Sequence, residues 1–308
     1  MKTALLRAPL FFCFGILFIS LSFAPRAIAA SVSLHSEDAR WIAGMIFQNE
    51  CDLRTECLTT WNEGEDFPSL GIGHFIWYSE GQQSPFHESF PEFLDFLKAS
   101  GREVPDWLNE IARLGMPWKN REQFLAAQSE EGMMGMRQFL QETMEEQAFF
   151  MMHRFQQAVL QMIAATPEAQ RTKLAEKVFA LTQTRQGLYA MIDYLNFKGD
   201  GLSPEERYRE HGWGLFQVLY VMDWHLGEKR AEEEFVEAAR KILRRRVDNA
   251  PSERAEDRWI AGWVKRIETY SKADYRPDDV ARVNNSIRFP KTSRSIEVVN
   301  FADFLVRA

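Results

Sequence analysis

Over most of this chain apolar residues return every three or four positions, the period of a helix that buries one face. That spacing predicts helices over 37–50, 92–100, 105–114, 120–127, 130–165, 168–183, 186–196, 212–227, 230–248 and 253–272. One run breaks the period. Ser69–Tyr78, SLGIGHFIWY, is short, aromatic and interrupted by Gly71 and Gly73, and it reads as a strand or a tight hairpin. A chain written this way folds as a mainly α protein with a small β element, an α+β fold carrying a short β-hairpin. No repeat or low-complexity linker divides it into further domains.

The two ends are read apart from that domain. Residues 1–30 have the form of a signal peptide: Lys2 and Arg7 first, then the apolar run Leu10–Ala24, then the small residues Ala27–Ala30 before Ser31. The apolar run is short for a membrane span and stops at Pro25 and Arg26, so no stable membrane anchor is expected after cleavage. The product would be periplasmic or secreted, its domain spanning 31–272 and an irregular segment, 273–308, wrapping the surface. The leader holds Lys2, Arg7 and Arg26 and no acid, so its removal takes the formal charge of −7 further negative. That balance argues against nucleic acid as a partner. Export also favours a disulfide between Cys51 and Cys57, which would close a small loop. Two cysteines without a nearby histidine pair make a poor metal site, and no metal or organic cofactor is expected.

Chemistry concentrates between Asn49 and Tyr78. The segment carries Glu50, Asp52, Glu56, Glu63, Glu65 and Asp66 beside the glycine-broken strand. Ser36 can cap the preceding helix, whose apolar face is Trp41, Ile42, Met45 and Ile46 and whose end is Glu50. A carboxyl at such a junction can sit in a cleft between a helical layer and a small sheet. Glycosidic cleavage asks for one carboxyl kept protonated by apolar surroundings and a second that steadies the oxocarbenium-like transition state or activates water. Phe47, Trp61, Phe75 and Trp77 offer apolar walls and flat faces for sugar rings.

These residues resemble the active-site segment of phage-type lysozymes over about residues 38–78. In that family a helix ends in the catalytic glutamate, an aspartate and a threonine follow, and a Gly-Ile-Gly-His lies on a small sheet. Anchored on Gly71–His74, the resemblance implies a lysozyme-like fold with Glu50 as the general acid, Glu63 as the second carboxylate and Ser69 positioning water. Trp61 falls at a tyrosine position, and His74 would support the site through hydrogen bonds. The chain differs in placing more residues between the two acids, in the region of Cys51 and Cys57, and in having glutamate and serine for aspartate and threonine. Glu65 or Asp66 can therefore take the second role. The implied activity is cleavage of peptidoglycan or a related β-linked polysaccharide, by hydrolysis or, if one glutamate suffices, by lytic transglycosylation.

A second irregular stretch, Leu195–Leu219, breaks a helix with glycines and a proline among polar and aromatic residues. Asn196, Lys198 and Trp213 are its candidate substrate-binding groups, facing Glu50 across a groove, with Trp61, His74 and Trp77 on the other side. The methionine-rich runs 131–136 and 149–155 read as core filling, and the basic run 241–247 as a solvated helix end. No HExxH, GxSxG or GxxxxGK[ST] pattern is present, which leaves zinc proteolysis, serine hydrolysis and nucleotide hydrolysis without support. Two rivals remain. A noncatalytic periplasmic protein would use the same groove to bind glycan or a partner protein. A groove-free helical scaffold would bury every aromatic of 61–78.

Overall fold

The computed structural model describes residues 31–82, 86–223, 229–272 and 295–300. Strand β1, Ser31–His35, leads directly into helix α1, Ser36–Cys51. The N-cap is the extended His35; Ser36, expected to cap, is the first helical residue. Strand β1 pairs antiparallel with β7, Ser295–Asn300, so part of the segment expected to be irregular is ordered as an edge strand. The rest of 273–308, and the leader 1–30, lie outside the described residues.

The chain is mainly helical, with short antiparallel strands between the helices. After α1 come β2 (Thr59–Thr60), β3 (Ser69–Leu70) and β4 (Phe75–Ile76), then α2 (Phe90–Ala99), α3 (Asp106–Ala112) and α4 (Arg121–Ala126). Helix α2 shows why the periodicity works: Phe90, Phe93, Leu94 and Leu97 fall on one face and all are buried. Each such side chain contributes about 1.5–3 kcal/mol of gross burial energy.

Residues 130–165 form two helices, α5 (Glu131–Glu142) and α6 (Met144–Ala165), where the spacing predicted one. They part at Thr143, whose Oγ1 donates to the Phe139 carbonyl at 2.8 Å. No proline or glycine signals this break. The first half of α6 is buried on all sides, and its 22 residues run about 33 Å through the core. Met133, Met136, Met144, Met151, Met152 and Met162 fill the space around it.

Helix α6 packs against α1, α2 and α5 and against α7 (Glu168–Thr182) and α8 (Arg185–Lys198). Thr184 caps α8, accepting from Gly187 N at 3.0 Å. A hairpin of β5 (Arg207–Tyr208) and β6 (His211–Gly212) follows, turning through Arg209 and Glu210, both left-handed. Then come α9 (Leu215–Val221), α10 (Ala231–Asn249) and α11 (Asp257–Ile267). The helix expected over 212–227 is shorter than its pattern, and residues 224–228 lie outside the described ones. Among the described residues no helix is long and apolar enough to cross a membrane.

Candidate functional site

The site is built where α1 ends. Asp52 and Leu53 both adopt left-handed backbone, turning the chain sharply after Cys51. Cys51 and Cys57 are joined by a disulfide across this turn. The chain then enters the antiparallel sheet β2-β3-β4, in which Thr60 faces Ser69 and Ser69 faces Ile76.

Gly71-Ile72-Gly73-His74 is the turn between β3 and β4. Gly71 has a φ of +70°, and a Cβ there would lie 2.3 Å from Gln147 Oε1. That oxygen accepts the Ile72 N–H at 2.8 Å, so the glycine lets α6 hold the turn by its backbone. A Cβ on Gly73 would run into the Phe75 ring at 2.1 Å. His74 itself is left-handed, a costly state for a residue with a side chain. It aims Nε2 at Glu50 Oε2, 3.5 Å away.

Glu50 has only 9% of its side chain exposed. Its other oxygen is bonded by Arg266 of α11. The same guanidinium grips Asp193 of α8 through Nε and Nη2, both at 2.8 Å. Asp193 is fully buried and also accepts from Tyr270 at 2.6 Å. One cation thus serves two carboxylates. Burial alone would push the Glu50 carboxyl up. The Arg266 and His74 charges, with hydrogen bonding from Arg266 and the Asn196 amide, outweigh it and hold the group below its ordinary range. The expected apolar, raised-pKa carboxyl is therefore corrected: Arg266, over two hundred residues along the chain, keeps Glu50 ionised. The Asn196 amide stands beside that carboxylate, although its Nδ2 closes no hydrogen bond of full geometry.

A cavity of about 550 Å³ is walled by His74 and Asn196, the two neighbours of Glu50, while Glu50 itself is recessed behind them and is not one of the lining residues. His74, Asn196, Lys198 and Trp213, four of the residues singled out from the sequence, line it. Lys198 lies 3.9 and 3.7 Å from the ring centres of Phe197 and Trp263. Burial, with the Arg246 and Arg266 charges, pushes its ammonium down to about 6 against the pull of Glu256 and Glu50. Arg246, in the run expected to be a solvated helix end, is bonded by Glu256 at 2.7 and 2.8 Å and lies 4.1 Å from the Trp213 ring centre. Larger hollows, about 1100 Å³ along residues 98–106 and about 620 Å³ around Lys177, are bordered by none of the candidates.

The other candidates lie elsewhere. Trp77 is wholly buried against Phe90 and Trp118, and Trp61 packs edge-on to Phe124. All five aromatics of 61–78, Phe67, Phe75 and Tyr78 included, are in fact buried, as a groove-free scaffold would have them, yet the cavity exists beside them. Strand alternation explains Trp77: Phe75 and Trp77 point into the core, while His74 and Ile76 border the cavity. Ser69 is buried in the sheet, and Glu63, Glu65 and Asp66 do not border the cavity. The carboxyls that do are Glu205 and Glu206, which sequence reasoning missed; burial and the Asp200 charge push Glu206 up. Among the described residues no group of three or more histidine, cysteine, aspartate or glutamate side chains could hold a metal ion.

No family model, curated protein or solved structure matches the chain.

Proposed function

We propose that this chain is an exported enzyme that cleaves a β-linked polysaccharide, peptidoglycan being the first candidate, at a lysozyme-like site centred on Glu50. One observation carries the reading: a recessed glutamate at a helix end meets the histidine of a glycine-broken hairpin on the wall of a cavity of sugar-binding size.

Glu50 must gain a proton before it can give one to a glycosidic oxygen. The single cation supports a route. Arg266 balances only one of the two carboxylates, and Asp193 holds it by two bonds while also accepting from Tyr270. A sugar entering the cavity excludes water, which raises the cost of the surplus negative charge. A proton from solvent then goes to Glu50, the carboxylate with fewer donors and the more exposed of the two. Once the bond breaks, the Glu50 anion is again held by Arg266 and His74. The second carboxyl for hydrolysis would come from the 205–206 pair, and without one the chemistry is lytic transglycosylation.

The test is digestion of purified peptidoglycan with mass spectrometry of the products. Reducing ends mean hydrolysis and anhydro ends mean transglycosylation. Glu50→Gln keeps the shape and removes the proton, so it should abolish product while the protein still melts cooperatively. Glu63→Gln should leave product formation intact. Full turnover by folded Glu50→Gln would sink the reading. The Arg266 clamp also favours a second reading, a noncatalytic glycan-binding protein in which Glu50 stays ionised. Glycan binding by the unaltered chain with no product would select it.

A further inference from the structure

Two half-buried basic side chains on the cavity wall, Arg154 and Lys198, have no acid bonded to them among the described residues; Arg254 also borders the space but is exposed. Arg154 of α6 lines it and makes no hydrogen bond or ion pair among the described residues. Glu92 and Asp200 are its opposing charges, acting at a distance, and burial still drags the guanidinium below its ordinary range. Among the described residues Lys198 likewise has no bonded acid, and its nitrogen lies over the Phe197 and Trp263 rings. A desolvated guanidinium without a bonded partner is costly, and an amine that burial keeps largely neutral at pH 7 has a charge still to gain; both favour an arriving anion. Arg246 differs, because Glu256 already occupies it.

Resting on the glycan-cleaving reading above, we propose that the cavity selects a glycan bearing a carboxylate, which is received by Lys198 and Arg154. Glu205 and Glu206 border the same space and set its limit: they would repel a doubly charged phosphate more than a single carboxylate. The neighbours of Lys198 fit a responsive receptor. Arg246 and Arg266 depress its protonation, Glu256 and Glu50 support it, and an incoming anion would tip the amine to the charged form.

The experiment uses the full mature chain carrying Glu50→Gln, so that nothing is cut and Glu50 cannot take a proton. Calorimetry at pH 7 compares a neutral N-acetylglucosamine tetramer with two acidic probes. One is a peptide-free disaccharide of N-acetylglucosamine and N-acetylmuramic acid, whose acid is on a lactyl ether; the other is a β-linked glucuronate oligosaccharide, whose acid is on the ring. The expected result is tighter binding of at least one acidic probe, with proton uptake seen as a heat that depends on the buffer. Which probe is preferred identifies the source of the carboxylate. Lys198→Met and Arg154→Met should each weaken that probe roughly ten- to a hundred-fold, the loss of one charge-assisted hydrogen bond, and weaken the neutral tetramer much less, so that the preference for the acid is lost. His74, His87, Glu205 and Glu206 also face this space, so the deciding readout is proton uptake that is present with Lys198 and lost in Lys198→Met, which stands even if Arg154→Met fails to fold. Equal binding of neutral and acidic probes without proton uptake would overturn the carboxylate inference and leave the glycan reading standing. Preference for inorganic phosphate over both acids would overturn it as well. Binding of no sugar at all would instead remove the glycan reading.

Discussion

Removing the cation at the centre of the site makes the sharpest test of its electrostatics. Arg266 has 10% of its side chain exposed, while Glu50 and Asp193 have 9% and none. Arg266→Met keeps much of the apolar stem and leaves two buried carboxylates with no cation between them. Breaking a buried pair from one side costs about 3–5 kcal/mol. With a urea slope of about 3 kcal/mol per molar, the midpoint at pH 7 should fall by about 1–2 M. The pH response should also change sign. In the native chain the Glu50 pKa is below its unfolded value, so its contribution is full above the ordinary carboxylate range and is lost as pH falls through the folded pKa. In Arg266→Met burial, the largest influence on Glu50, is opposed only by His74 and the Asn196 amide, and its folded pKa should lie above the unfolded one. The variant should therefore gain stability as pH falls from 7 towards 5, where the native chain is flat. Urea melts of both proteins at the two pH values, with the disulfide kept oxidised, decide it. An unchanged midpoint at pH 7, or a variant that weakens further at pH 5, would refute the clamp.

Two further outcomes follow from the loops around it. Gly71→Ala should cost at least about 1 kcal/mol, because it adds a clash with Gln147 to an unfavourable backbone, whereas Gly64→Ala, at φ +85° with nothing within 4 Å, should cost less; equal losses in thermal melts would show that Gln147 moves aside freely. Cys51→Ser with Cys57→Ser should lower stability by about 2 kcal/mol through the small closed loop, and a denaturation midpoint unaffected by the double change would mean that the turn at Asp52 needs no pin.

The helical architecture was legible because it rests on local periodicity, and α2 shows the pattern without interference. Errors came where a side chain replaces a backbone signal, as Thr143 does between α5 and α6. At the site, breaks in the pattern were informative. The hairpin and the 195–213 loop both stood out by composition, and the fold brings His74, Asn196, Lys198 and Trp213 to one cavity beside Glu50. Trp77 could have been assigned to the opposite face from His74 by strand alternation alone. Arg266 and Asp193 could not have been found: they are separated by 73 positions, each lies in an ordinary helical pattern, and only packing makes them partners. Arg154 was hidden differently, as a charged residue inside the methionine- and phenylalanine-rich face of α6.

On the proposed function, the long-range partner is also what would make the charge of Glu50 conditional. A glutamate in a purely apolar pocket would be protonated at rest and costly to ionise, while one paired with an undivided arginine would be ionised at rest and costly to protonate. Arg266 is divided. Its bidentate hold on Asp193 ties α11 to α8, and its remaining bond reaches Glu50 at the end of α1. The fold can therefore keep Arg266 in place through Asp193 whichever state Glu50 adopts. That separation would let the Glu50 charge vary, as the proposed function requires, without releasing α11, and it predicts that Glu50→Gln will cost far less stability than Asp193→Asn, which takes the better-bonded carboxylate from the same cation. Urea midpoints of the two single variants measure this directly, and equal losses would mean that Arg266 is shared evenly and that Glu50 has no such freedom.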